Sequence, residues 1–248
     1  MFMGNTGLFT GKSDDYARFR PSYPAEAIDW LRSRTAGERL LDAGAGTGIF
    51  TQLLLKKFAH VTALEPNPAM REKFNQLLPG IPCLDTTAEA TGLADASVDL
   101  ITVAQAFHWL DGEKFKAEAM RILALEGKTA IVWNTTLASD FTAARNKICQ
   151  KYCPRFRAGY AGKRSPAEGD DFLRHHYFKK VEVVSFDNPF FMDKECFEGN
   201  MRSRSYSLLP GDEGYEAFIT ELRELFTRYA QNGIVTEPQE TQIFLGEF

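Results

Sequence analysis

Apolar residues recur at helical spacing through "EAIDWLRSRT" (26–35), and downstream the pattern changes to short continuous apolar runs alternating with amphipathic stretches. "ERLLDAG" (38–44) predicts a first strand and "GIFTQLLLKKFA" (48–59) a helix; "HVTALEP" (60–66) predicts a second strand. "PAMREKFNQLLP" (68–79) is a helix opened by Pro68, followed by a third strand at "IPCL" (81–84). "SVDLITVAQAF" (97–107), a helix through "EKFKAEAMRIL" (113–123) and "KTAIVWN" (128–134) continue the rhythm. Strands that are apolar throughout, separated by helices, describe a parallel sheet covered on both faces.

The rhythm breaks near Thr135. A helix near 140–152 runs into "CPRFRAGYAGKRSPAEGDD" (153–171), rich in Gly, Pro and charge, which reads as a lid insertion over 137–178. After it come a strand-like "KKVEVVSF" (179–186), helices near 193–206 and 213–231, and a closing strand "TQIFLGEF" (241–248). The expected organisation is one domain over 1–248: a closing segment and first helix (1–35), a cofactor-binding half (36–136), the lid, and a substrate-side half (179–248).

The chemistry is concentrated in "LLDAGAGTGIF" (40–50), where a strand turns into a helix through Gly44, Gly46 and Gly48. Glycines lacking a Cβ admit a ligand against the backbone, and the helix amides that follow favour an anionic group. A dinucleotide-binding loop would need glycine or alanine three residues after Gly46, but Ile49 stands there; the lysine of a triphosphate loop is also missing. Glu65, ending the second strand, can accept hydrogen bonds from both hydroxyls of a ribose. "DTTAEATGL" (85–93) places Thr87, Ala88 and Glu89 beside the expected position of an adenine. The set implies a nucleoside carrying an amino-acid tail.

These segments, with "VTALEPNPAM", "TTAEATGLADASVDLITVAQAFHWL" and "RILALEGKTAIVWN", together resemble a class I S-adenosylmethionine-dependent methyltransferase over residues 39 to 134. Within that family the chain is similar to small-molecule enzymes of the trans-aconitate methyltransferase kind, to which "DYARFRPSYP" (15–24) and "AFHW" (106–109) also fit. The resemblance implies an α/β, Rossmann-like seven-stranded sheet in the order 3-2-1-4-5-7-6 with an antiparallel last strand. It places Asp42, Gly44, Ala45, Gly46 and Gly48 around the methionine end of S-adenosylmethionine, and Glu65 with Pro66 at the ribose. Thr87, Ala88 and Glu89 flank the adenine, and Gln105 sits near the transferable methyl. Thr86 departs from the glycine usual in relatives, which bears on the adenine contacts. In the same reading Tyr16 and Arg20 fold over the cofactor, and S-adenosylhomocysteine is the product.

A sulfonium methyl is already activated, so transfer needs a nucleophile held in line in a dry pocket. His108, just past the fourth strand, is the candidate general base or substrate contact, and Trp109 a pocket wall. Seven Lys/Arg between Arg145 and Arg164, with no acid among them, and Arg202 and Arg204 beyond, suit an anionic acceptor such as a small carboxylic acid. The alternative is a solvated helix face, the usual state of a charge run.

Composition narrows the class further. The 248 residues, 44% hydrophobic and 25% charged, carry a net charge of −4, which argues against a nucleic-acid surface. The fourth strand also lacks the Asn/Asp-Pro-Pro-aromatic motif of base-methylating enzymes, the first rival reading; a non-catalytic cofactor-binding protein is the second. Cys83, Cys149, Cys153 and Cys196 are too scattered for a disulfide framework, and their spacing does not suit zinc, so no metal is expected. With no secretory or membrane-length apolar run, the expectation is a cytoplasmic monomer or homodimer.

Overall fold

The computed structural model describes residues 11–157 and 166–248. Nine strands are present among them: β1 (Arg39–Ala43), β2 (His60–Leu64), β3 (Cys83–Leu84), β4 (Val98–Ala104), β5 (Leu123–Thr136), β6 (Lys180–Asp187), β7 (Phe190–Met192), β8 (Val235–Glu237) and β9 (Gln239–Glu247). Seven of them form one sheet in the order β3-β2-β1-β4-β5-β9-β6, and β7 and β8 pair separately. The first five are mutually parallel, whereas β9 runs antiparallel to both neighbours, Val132 facing Ile243 and Val184 facing Ile243 from the other side. With β9 as the seventh sheet strand this is the expected order.

Period-two alternation explains why both faces are covered. Leu40, Leu100, Val132 and Ile243 point to one face, where they meet Ile28 and Leu31 of α2 (Ala25–Ser33) and Phe50 and Leu54 of α3 (Ile49–Leu54). Their neighbours Leu41, Ile101, Ile131 and Phe244 point to the other, against Phe115 and Ala119 of α5 (Gly112–Ile122). Of the remaining sheet-side helices, α1 spans Ser13–Phe19 and α4 Pro68–Leu77. α4 starts where the pattern placed it: Pro68 occupies the first turn and Asn67 caps it, accepting from the Met70 amide at 3.0 Å.

The expected lid segment is divided differently. α6 (Asp140–Tyr152) starts in a Ser139–Thr142 capping box and buries Phe141 and Cys149 in a third cluster. Its partners there are Phe197 and Met201 of α8 (Lys194–Arg202) and Phe218 and Leu222 of α9 (Tyr215–Tyr229). α7 (Pro166–Phe172) leads into a wide turn over Leu173–Tyr177, whose Leu173 and Tyr177 join the sheet core. The described part of the insertion is thus anchored in two cores. Of the basic run, Lys163 and Arg164 lie outside the described residues; Lys147, Lys151, Arg155 and Arg157 are exposed, as a solvated face requires. Arg145 is the exception, 5% exposed and ion-paired to Glu237. Among the described residues no helix is long and apolar enough to cross a membrane.

Candidate active site

The strand order reverses between β1 and β4, so the crevice that binds ligands in open α/β sheets lies at the carboxyl ends of these two strands. Both sequence clues open into it. Gly44, Gly46 and Gly48 all have left-handed backbones, with φ of 72°, 59° and 91°. Their roles separate on what a Cβ would meet. At Gly44 it would stand 2.7 Å from the Ala106 Cβ, and at Gly48 2.8 Å from a Leu78 methyl, so these two permit the loop to pack against its own protein. At Gly46 the nearest atom is a Tyr16 ring carbon at 3.9 Å, which leaves a space roofed by α1.

Glu65 borders that space, 8% exposed. One carboxylate oxygen accepts from the Gly46 amide and the other from the Asn67 amide, each at 2.8 Å. Burial pushes its pKa up, against those two amides and Arg71. A carboxylate has about four acceptor positions, so two remain for ribose hydroxyls. Pro66 is half-buried next to it, and Ala45 donates its amide to the Leu64 carbonyl at 3.0 Å, completing the turn.

Asp42 departs from the expected ligand contact. It is 1% exposed, and its oxygens accept from the Thr51 and Thr102 hydroxyls at 2.6 and 2.8 Å. It therefore fastens β1 to α3 and β4 behind the loop, because its side chain points into the sheet interior. Burial raises its pKa to about 6 in spite of the two hydroxyls. In the glycine turn the Thr47 hydroxyl, fully buried, has no protein hydrogen-bond partner.

Beyond β3, Thr87 is exposed, Ala88 is buried, and the Glu89 carboxylate accepts from the Asp111 amide at 2.9 Å, capping the approach to α5. Beyond β4, Gln105 adopts φ 56°, a left-handed conformation that side-chain-bearing residues rarely take and that recurs at functional positions. Its side-chain Nε2 donates to the Asn134 carbonyl at 3.0 Å. The Asn134 side chain accepts from Thr241 and Asn188 and donates to the Ser22 carbonyl, tying the N-terminal segment to β5 and β9.

His108 lies against Trp133, ring centroids 5.4 Å apart and stacked, and against Trp109 at 4.4 Å. Its Nδ1 is buried without a partner, and burial, then Arg20, lowers its pKa to about 4. Arg20 sits over the Tyr16 ring at 4.9 Å and donates to the Ser203 carbonyl at 3.1 Å. Arg202 does not reach the crevice; its guanidinium is held bidentately by Asp15 at 2.7 and 3.2 Å, joining α8 to α1.

Sequence reasoning missed Trp133, Asn134, Asn188, Tyr206 and Glu237. Each comes to the crevice or its wall from a strand end or loop with no motif of its own; only the Trp-Asn ending of the fifth strand was a readable signal. Cys149 and Cys153 are buried free thiols with raised pKa values, Cys153 to about 11. Among the described residues no group of three potential metal ligands is assembled.

A family model described as a methyltransferase domain matches residues 41–131. An uncharacterised methyltransferase-like protein of Schizosaccharomyces pombe is 36% identical over 228 residues, covering 88% of this chain and 86% of that protein. The chain belongs to the class I S-adenosylmethionine-dependent methyltransferases. An uncharacterised methyltransferase of Mycobacterium tuberculosis is 46% identical over 120 residues, 48% of this chain and 49% of that protein, so the match spans about half the length of the mycobacterial relative. The structure of a protein assigned as a type II methyltransferase of Anaeromyxobacter dehalogenans shares the fold, with TM-score 0.68 and 23% identity over 92% of this chain and 98% of that one. The cofactor is S-adenosylmethionine. The methyltransferase crevice fits it on two counts: the open space at Gly46 and the two spare acceptor positions of Glu65.

Proposed function

We propose that this methyltransferase transfers the methyl group of S-adenosylmethionine to a small acceptor that carries an anionic group. The observation that carries this reading is Arg20. Its guanidinium is enclosed at the roof of the crevice, its Nε has no partner, and among the described residues no carboxylate pairs with it. A half-buried cation with a shielded, unpartnered Nε and no counter-ion is costly, and an anionic ligand supplies the missing partner.

Bound in the crevice, the cofactor supplies an activated sulfonium methyl. The chain's own residues then orient and enclose. In this reading Gly44, Ala45, Gly46 and Gly48 accommodate the methionine end, Glu65 and Pro66 the ribose, and Thr87, Ala88 and Glu89 the adenine side. Gln105 stands beside the reacting carbon, and Tyr16 closes the roof. The wall of His108, Trp109 and Trp133 excludes water, which would otherwise screen the anion and compete for the methyl. With a pKa near 4, His108 is neutral at physiological pH and a weak proton acceptor. Its part is to orient the acceptor through Nδ1. A carboxylate nucleophile would need no base at all.

Calorimetric titration with S-adenosylhomocysteine, S-adenosylmethionine and NADH tests the cofactor reading, followed by a transfer assay over small carboxylic acids. Micromolar binding of the first two ligands, weakened at least tenfold in Glu65→Ala, is expected; binding of NADH alone would overturn it.

A further inference from the structure

Arg20 is not the only cation in the roof. Arg204, on the turn after α8, and Arg145, from α6, both lie close to Tyr206, as Arg20 does. Arg204 repels both Arg20 and Arg145. Lys12 adds a fourth cation, its ammonium donating to the Arg204 and Ser207 carbonyls at 2.7 and 3.0 Å.

Among the described residues the one carboxylate ion-paired with any of the three guanidiniums is Glu237, which meets Arg145 and Arg204, is 1% exposed and is already saturated. One of its oxygens accepts from Thr136 at 3.0 Å and from Gln239 at 2.8 Å and lies 3.6 Å from Arg204; the other is paired with Arg145. Each guanidinium retains an unpartnered Nε: Arg20, Arg145 and Arg204. Arg145 is 5% exposed, so its unpartnered nitrogen has no water to turn to. Two forks share one carboxylate and a third, Arg20, has none, which leaves an excess of positive charge and of N–H donors. Such a set is built for an oxyanion.

Resting on the methyltransferase reading above, we propose that Arg20 and Arg204, backed by the Arg145–Glu237 pair, form an oxyanion subsite that anchors the acceptor by a group other than the one methylated. The chemistry of the donors decides the second half of this statement. An oxygen gripped by guanidinium N–H groups has its lone pairs engaged and its negative charge stabilised, which lowers its nucleophilicity. The atom that takes the methyl must therefore be elsewhere on the acceptor, toward Gln105, while the gripped group fixes its distance. The acceptor is bifunctional: a carboxylate or phosphate for anchoring, and a separate nucleophile. In the transfer step the nucleophile's lone pair forms the new bond to the methyl carbon as the sulfonium bond breaks, its electrons returning to sulfur. The anchored oxyanion is unchanged.

The experiment is titration of the full chain, saturated with S-adenosylhomocysteine, with sodium propionate and with inorganic phosphate at constant ionic strength. At least one probe is expected to bind, its affinity falling tenfold or more in Arg204→Gln and in Arg20→Gln and by less in Arg204→Lys, which keeps the charge but loses the fork. S-adenosylhomocysteine affinity is expected to stay within threefold in Arg204→Gln, which also reports that the variant is folded. The stronger probe distinguishes a carboxylate from a phosphate anchor. With S-adenosylmethionine, propionate is expected to yield no methyl ester. Failure of both probes to bind, binding undiminished in both glutamine variants, or turnover of propionate would overturn the proposal. Failure of the wild-type chain to bind S-adenosylhomocysteine would instead sink the methyltransferase reading beneath it.

Discussion

The Glu65 carboxylate accepts the Gly46 amide at 2.8 Å, so the group at the end of β2 and the middle glycine of the loop after β1 hold each other in place. Nineteen residues separate them, and the parallel pairing of β1 with β2 brings them together. The cofactor-side wall is thereby pre-formed. Replacing Glu65 with alanine releases the loop amide and, in the proposed reading, removes a ribose acceptor. At about 1.5–3 kcal/mol for a hydrogen bond to a charged group, S-adenosylhomocysteine should bind about 10- to 100-fold more weakly by calorimetry.

Gly44 and Gly46 should respond differently to alanine. Both pay about 1–2 kcal/mol for a left-handed backbone. At Gly44 the new Cβ also meets Ala106 at 2.7 Å, and overpacking adds about 1–3 kcal/mol, so Gly44→Ala should lower the melting temperature by several degrees. At Gly46 the Cβ enters the space under Tyr16 instead. Gly46→Ala should lose cofactor affinity out of proportion to its smaller loss of stability, a contrast read from melting curves and calorimetry on the same two proteins.

His108 and Asp42 pull the pH dependence of stability in opposite directions. His108 titrates near 4 in the fold against 6.5 unfolded, so between those values the unfolded chain binds the extra proton and stability falls as pH is lowered from 6.5 toward 4. Asp42 titrates near 6 in the fold against 3.8 unfolded, so the fold binds the extra proton and stability falls as pH is raised from 3.8 toward 6. Chemical-denaturation curves from pH 4 to 7 should therefore show partial cancellation in the wild type. His108→Gln should expose the Asp42 slope, losing more stability than the wild type as pH rises through this window. A His108→Gln profile that superimposes on the wild type would refute the buried neutral imidazole.

Arg202 and Asp15 make a half-buried bidentate pair between α8 and α1. A double-mutant cycle with Arg202→Gln and Asp15→Asn should return a coupling of about 1 kcal/mol in stability. Acceptor KM should move far less in Arg202→Gln than in Arg204→Gln, since only the second of these arginines keeps an unpartnered Nε in the roof.

Much of the cofactor half was legible because its determinants are local. Strand and helix periodicity, Pro68 at a helix start, and the three glycines with Glu65 each depend on residues within a few positions of one another or on neighbouring strands. The acceptor half was not legible in that way. Arg202 and Arg204 are two residues apart in one polar stretch, and only the partners that reach them from elsewhere separate their roles. Arg145 looked like a member of a solvated basic run, yet Glu237, 92 positions later, draws it into the interior. Asp42 likewise read as a ligand contact until Thr51 and Thr102 closed on its carboxylate.

The sequence alone determined the alternating elements, the glycine turn and the acid that ends the second strand, because backbone propensity and hydrophobic period act over short separations; the order of the sheet came from the family resemblance. Only the tertiary structure decided which side chains reach the crevice, which cations are neutralised, and that Arg20, Arg145 and Arg204 converge around Tyr206. Those outcomes depend on long-range packing and on the charge balance of a buried volume, neither of which is encoded at any single stretch of the chain.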